Sequence, residues 1–262
     1  MSRLAHELTA GELMLQTTSS NTQRNEADMS LPKQDGIAID GPAGAGKSTV
    51  AQRVADKLHY LYIDTGAMYR AATWIALEKR ANLENADEVI ALVEKERIDL
   101  QPPDTSSRGR VRVFINDTDV TMIVRSRIVT RFVSQVSAIA GIRKIMVTRQ
   151  QQMADRGGVV MDGRDIGTVV LPRAALKIFL TASPEVRAER RQKDLKEMGQ
   201  IADLKTLMEE ITARDHFDST RETSPLRQAE DAIVIDTDGL SIDDVVEQVL
   251  ALAETRLHGF RS

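Results

Sequence analysis

The chain has 262 residues, 42% hydrophobic and 28% charged, which suits one large α/β domain with an insertion. Its net charge of −4 argues against a nucleic-acid partner, and an aromatic content of 3% leaves few platforms on which single strands could stack. The absence of cysteine excludes a disulfide framework, a thiolate nucleophile and a thiolate zinc site.

No apolar run approaches the ~20 residues of a membrane span, and no secretory h-region is visible, so the expectation is a soluble cytoplasmic protein without a membrane partner. Residues 1–34 read as a disordered N-terminal extension, because 17–25 is polar and aperiodic. Residues 4–15 pattern only a short marginal helix, and Met29 is a candidate translation start. Glu7, Glu12, Glu26 and Asp28 disfavour a transit peptide. The folded domain is expected over 35–262.

The first folded element is a buried strand over 37–40. It runs into Gly41, Pro42, Ala43, Gly44, Ala45, Gly46, Lys47, Ser48 and Thr49, followed by a helix over 50–58. Strand, glycine-rich turn, Lys-Ser and helix make the phosphate-cradling P-loop. Its backbone N–H groups and the helix N-terminus face the phosphates of a nucleoside triphosphate. Lys47 reaches the β- and γ-phosphates, and Ser48 is a ligand for Mg²⁺.

A second strand is expected over 60–63 and helices over 67–80 and 86–95. Further short apolar strands fall at 158–161, 176–180 and 232–235. Short apolar strands separated by helices predict a P-loop NTPase-type parallel sheet with helices on both faces. Ligands of such sheets gather at the carboxyl ends of the strands. Asp162 ends one strand like a metal-binding carboxylate, with a purely structural role as the alternative. Asp40 and Asp64 end others and are expected to fix the adjacent turns. Residues 98–120 break the alternation. A loop over 102–110, an alternating strand over 111–116, the Asn116-Asp117 turn and a return at Asp119 predict a small antiparallel insertion.

No N-K-x-D guanine motif is present, which argues against a GTPase. Arginines instead recur in clusters. Arg70 closes Asp64-Thr65-Gly66-Ala67-Met68-Tyr69-Arg70, and Arg164 lies within Asp162-Gly163-Arg164-Asp165-Ile166-Gly167. Arg187, Arg190 and Arg191 share one predicted helix face, as do Arg214, Asp218 and Arg221. Phosphoryl transfer between two nucleotides needs several fixed cations of this kind. The four histidines are dispersed and show no ligand spacing.

In order and spacing these motifs, with Val133-Ser134-Gln135-Val136 and Arg214-x-x-x-Asp218, resemble the bacterial cytidylate kinases over about 37–258. The resemblance implies transfer from ATP, with Mg²⁺, to CMP or dCMP by a monomer, with the insertion as part of the NMP-binding domain and a helical lid over about 184–200. It implies that Thr65, Arg70 and Arg164 hold the acceptor phosphate end, and that Ser134, Arg143 and Asp165 read the cytosine. It also places Arg214 and Asp218 at the ribose, Arg221 nearby, and Lys47, Arg164, Arg187, Arg190 and Arg191 at the transferring phosphates. Another acceptor such as UMP, AMP or shikimate, or a catalytically silent nucleotide-binding module, remains the alternative reading. Ser134 and Arg143, nine residues apart, cannot face one base from an unbroken helix, so a break is expected between them, at Gly141.

Overall fold

The structure, a computed structural model, describes residues 34–257 apart from Arg108, Arg156 and Met198. The expectations for the N-terminal extension up to residue 33 lie outside the described residues. Five strands form the main sheet: β1 (Gln34–Asp40), β2 (Leu61–Asp64), β6 (Val159–Gly163), β7 (Ala174–Thr181) and β8 (Ile233–Asp236). They are all parallel and lie in the order β2-β6-β1-β7-β8. From β1 the chain crosses to the edge strand β2, returns to place β6 between them, and then adds β7 and β8 on the other side of β1. The switch point therefore falls at the carboxyl end of β1, where a crevice opens between flanking loops.

Period-two alternation explains the two faces. Ile37 and Ile39 point into a core shared with α1 (Lys47–Leu58) and α8 (Ile242–Arg256). Ala38 points into the other core, made with α2 (Thr65–Glu78) and the later helices α4 (Arg127–Ala138) and α5 (Ala140–Ala154). The helix expected at 67–80 starts earlier because Asp64 caps it, its Oδ1 accepting from the Ala67 N–H at 2.8 Å.

The insertion follows α3 (Ala86–Glu94). It is a three-stranded antiparallel sheet of β3 (Ile98–Gln101), β4 (Arg112–Ile115) and β5 (Thr118–Asp119). Ile98 pairs with Ile115, and Ile115 with Thr118, across the turn at Asn116, whose φ is +53°. Buried Val113 and Ile98 join the second core, so the insertion is anchored to the domain by packing as well as by the chain.

The expected helix break is present, but at a different residue. α4 ends and α5 begins around Ile139, which is extended at φ −66° and ψ 116°. Gly141 lies inside the first turn of α5, where its role is close packing: a Cβ there would stand 2.3 Å from Ile90 Cδ1 of α3. Beyond β7, α6 (Pro184–Glu197) and α7 (Leu204–Thr220) form a helical hairpin around a small cluster of Ala188, Leu195, Leu207 and Ile211.

Candidate active site

The glycine loop leaves β1 pressed against β7. Gly41 has φ +144°, and a Cβ on it would lie 2.0 Å from the Leu180 carbonyl oxygen, so only glycine fits. Lys47 opens α1 with its side chain buried, and Nζ donates to the Pro42 carbonyl at 2.7 Å. Burial first, and then the neighbouring Arg164 charge, pulls this ammonium well below the usual lysine value.

Ser48 Oγ donates to Asp162 Oδ2 at 2.7 Å, and the Tyr62 hydroxyl donates to Asp162 Oδ1 at 2.9 Å. Register explains the crowding: Asp64 of β2 lies directly beside Asp162 of β6. Burial, followed by the Asp64 charge, raises the Asp162 carboxyl above the usual range. Asp64 in turn meets Arg125 at 3.5 Å. A serine hydroxyl beside a strand-end carboxylate is a hard oxygen pair, and such a pair fits Mg²⁺ bound chiefly through phosphates and water. Among the described residues no group of three or more histidine, cysteine or acidic side chains forms a metal cage.

Asp40 fixes a turn, but not the adjacent one. Its carboxylate accepts from the backbone N–H groups of Ile166 at 2.8 Å and Gly167 at 2.7 Å. The Asp162-to-Gly167 motif is thereby pinned to the strand that carries the P-loop, and a single π-helical turn, Ile166–Val170, follows.

On the opposite wall, Arg70 Nη1 donates to Thr130 Oγ1 at 2.8 Å and to the Val124 carbonyl at 3.4 Å. Burial, then the nearby Arg214, lowers its pKa to about 9. Asp218 gathers three guanidiniums: Arg164 Nε at 2.9 Å, with Arg214 and Arg221 each at 3.9 Å. Arg143 and Asp165 form an ion pair in which both side chains are almost wholly buried. Arg143 also donates to the Ser137 carbonyl at 3.2 Å and lies 5.2 Å over the ring of Tyr69. The Tyr69 hydroxyl, Arg143 Nε and Arg221 Nη2 are buried with no hydrogen-bond partner.

A cleft of about 1630 Å³ joins these walls. Of the expected site residues, Ala43, Gly44, Gly46, Lys47, Ser48, Thr49, Arg70 and Ser134 line it, as do Asp162, Arg164, Arg190, Arg191 and Arg214. Gly41, Pro42 and Ala45 shape the loop from behind. Thr65 lies beneath the cleft floor, donating to the Asp162 carbonyl at 2.6 Å. Arg143, Asp165, Asp218 and Arg221 form the layer behind the wall. Arg187 departs from its two helix neighbours. It donates to the Ala182 and Ala43 carbonyls at 3.0 and 3.1 Å and pairs with Asp215, which also accepts from the Ala43 N–H at 3.4 Å. It braces the P-loop against α7, whereas Arg190 reaches Thr237 with two bonds of 2.9 Å.

Sequence reasoning missed Tyr62, Tyr69 and Arg125. Tyr69 sits inside a quoted motif. Tyr62 lies two residues before Asp64 on β2, on the same side of the strand, and that alternation was the available signal.

A parallel sheet with its glycine loop at the switch point, a Ser-Asp pair and two opposed sets of arginines define a P-loop kinase for small acceptors. Residues 37–255 match the family model for cytidylate kinase. The chain is 52% identical over 221 residues to cytidylate kinases of Streptococcus pneumoniae strains Hungary19A-6 and D39, covering 84% of this chain and 98% of each relative. The chain belongs to the cytidylate kinase family. A solved shikimate kinase from Bacteroides thetaiotaomicron is similar at 17% identity and TM-score 0.42, covering 84% of this chain and 98% of that one. A likeness that distant carries no argument about the acceptor.

Proposed function

We propose that this chain transfers the γ-phosphoryl group of ATP to CMP or dCMP, giving CDP or dCDP, as a monomer in the cytoplasm. The observation that carries the choice of acceptor is the buried Arg143–Asp165 pair behind Ser134, beside the arginines that close one wall of the cleft. Cytosine presents an exocyclic amine donor next to ring acceptors. Arg143 engages Asp165 Oδ2, and the other carboxylate oxygen is the proposed acceptor for the amine. Arg143 and Ser134 are assigned to the ring acceptors. Uracil would turn a carbonyl toward Asp165, and such an unmatched buried pair costs about 1–3 kcal/mol.

In this reading Arg70 and Arg164 hold the acceptor phosphate, with Thr65 shaping the floor beneath it. Arg214, Asp218 and Arg221 serve the ribose side. The P-loop from Gly41 to Thr49 cradles the donor phosphates, with Lys47 at the β- and γ-positions. Arg190 and Arg191 approach from α6, which with α7 acts as the lid, while Arg187 contributes by holding the loop. The insertion completes the NMP-binding side. Ser48 and Asp162 are the residues assigned to Mg²⁺, which supplies charge neutralisation between the phosphates. The acceptor phosphate is largely ionised at neutral pH, so no general base is required, and positioning and charge supply the catalysis.

The test is ADP release by the purified chain over a panel of CMP, dCMP, UMP, AMP and shikimate. Turnover with CMP and dCMP should exceed that with UMP by about fivefold or more, following the pairing cost above. Asp165→Ala should narrow that ratio most. A CMP rate equal to the acceptor-free background would defeat the proposal.

A further inference from the structure

We infer that Arg110, carried by the insertion, is a contact for the donor triphosphate, so that the insertion serves the ATP side of the cleft as well as the acceptor side. The inference rests on the kinase reading for the identity of the donor.

Four observations carry it. First, the loop between β3 and β4 crosses to the P-loop helix: Gln52 Nε2 donates to the Gly109 carbonyl at 3.1 Å. Gln52 is one helical turn beyond Ser48, on the same face of α1. Second, Gly109, Arg110 and Val111 line the same cleft as the P-loop. Third, the guanidinium of Arg110 makes no hydrogen bond or salt bridge among the described residues, while Arg125 donates to the Thr121 and Val111 carbonyls and Arg112 pairs with Asp104 and Asp119. Fourth, Arg191 and Asp194 of α6 line the same cleft as Arg110, and Asp194 lies in the field of both arginines. A cation with no hydrogen bond from its guanidinium among the described residues thus shares the cleft with Ser48 and Gln52 of α1 and with Arg191 and Asp194 of α6.

The loop is braced for this role. Asp104 Oδ1 accepts from the Ser106 and Ser107 N–H groups at 2.9 and 3.0 Å, and Asp104 Oδ2 meets Arg112 of β4 at 3.1 Å. The Arg110 N–H donates to the Ser107 carbonyl at 3.1 Å. A side chain on such a loop gives up less freedom on binding than one on an open tether. The ligand chemistry that suits it is a polyphosphate, because guanidinium forks match phosphate oxygens. Lid closure would bring Arg191 toward the same anion.

The experiment uses the full chain with Arg110→Gln, Arg110→Lys and Gln52→Ala. The readouts are equilibrium titration with the magnesium complex of AMP-PNP, and the KM values for ATP and for CMP. Arg110→Gln should weaken AMP-PNP binding and raise the KM for ATP by about fivefold to tenfold, the size of a partly exposed charge-assisted contact. The KM for CMP should stay within about twofold. Arg110→Lys should recover part of the loss, and Gln52→Ala should give a smaller change of the same kind. Parental AMP-PNP affinity in Arg110→Gln would overturn the inference, as would a change confined to CMP. Failure of the parent chain to phosphorylate CMP would instead defeat the kinase reading, and the AMP-PNP titration would still decide the role of Arg110.

Discussion

Asp40 is held against its own burial. Two backbone N–H groups favour its charged form, yet desolvation outweighs them, and its pKa rises to about 6. A carboxyl whose pKa is higher in the folded chain stabilises the fold fully below its unfolded value. That contribution is lost as pH rises through the folded value. Relative to Asp40→Asn, which does not titrate, the parent should therefore lose about 2 kcal/mol of stability between about pH 4 and pH 7. Denaturant unfolding of both proteins across that range checks this, and parallel pH profiles would contradict it. At this scale the sequence was informative where spacing along the chain fixes chemistry. Lys47 and Ser48 follow from the loop motif, and Asp162 from its place at a strand end. Tyr62 was hidden because its partner, Asp162, sits on another strand, and only the β2–β6 register brings them together.

Among the elements, the P-loop is the least forgiving. A methyl group at Gly41 would meet the Leu180 backbone oxygen of β7 at 2.0 Å. Gly41→Ala should cost about 3 kcal/mol or more and abolish nucleotide binding. Thermal unfolding with and without ATP measures both effects, and an unchanged melting temperature would show that the loop gives way. The strands were legible from short apolar runs, and the insertion from its alternation and the Asn116-Asp117 turn. The break between α4 and α5 was legible from geometry, since the roles that the resemblance implies for Ser134 and Arg143 require their side chains to share a direction. Its exact residue was not, because Gly141 answers to Ile90 on another helix. The π-helical turn at Ile166–Val170 left no local trace either, since Asp40, 126 residues upstream, holds its first N–H.

Across the whole molecule, the Arg164–Asp218 ion pair joins the main sheet to the α6–α7 hairpin. Arg164 extends from the end of β6, and Asp218, from α7, holds it at 2.9 Å while Arg214 and Arg221 stand at 3.9 Å. An anionic acceptor entering this group competes with Asp218 for the same guanidiniums. Before it arrives, Asp218 holds the Arg164 guanidinium and offsets part of its charge, which makes it a weaker stabiliser of a phosphoryl group in flight. Water is the rival acceptor that every kinase must refuse, being small, abundant and impossible to exclude from an open cleft. Asp218→Asn keeps the shape and removes the competing charge, so the absolute rate of acceptor-free ATP hydrolysis should rise several-fold. Phosphate release measured without CMP checks this, and an unchanged rate would rule the pair out as a safeguard. On the proposed reading the Arg164–Asp218 pair would tie fidelity to occupancy, because Arg164 would be released toward the transferring group only when an anionic acceptor displaces Asp218.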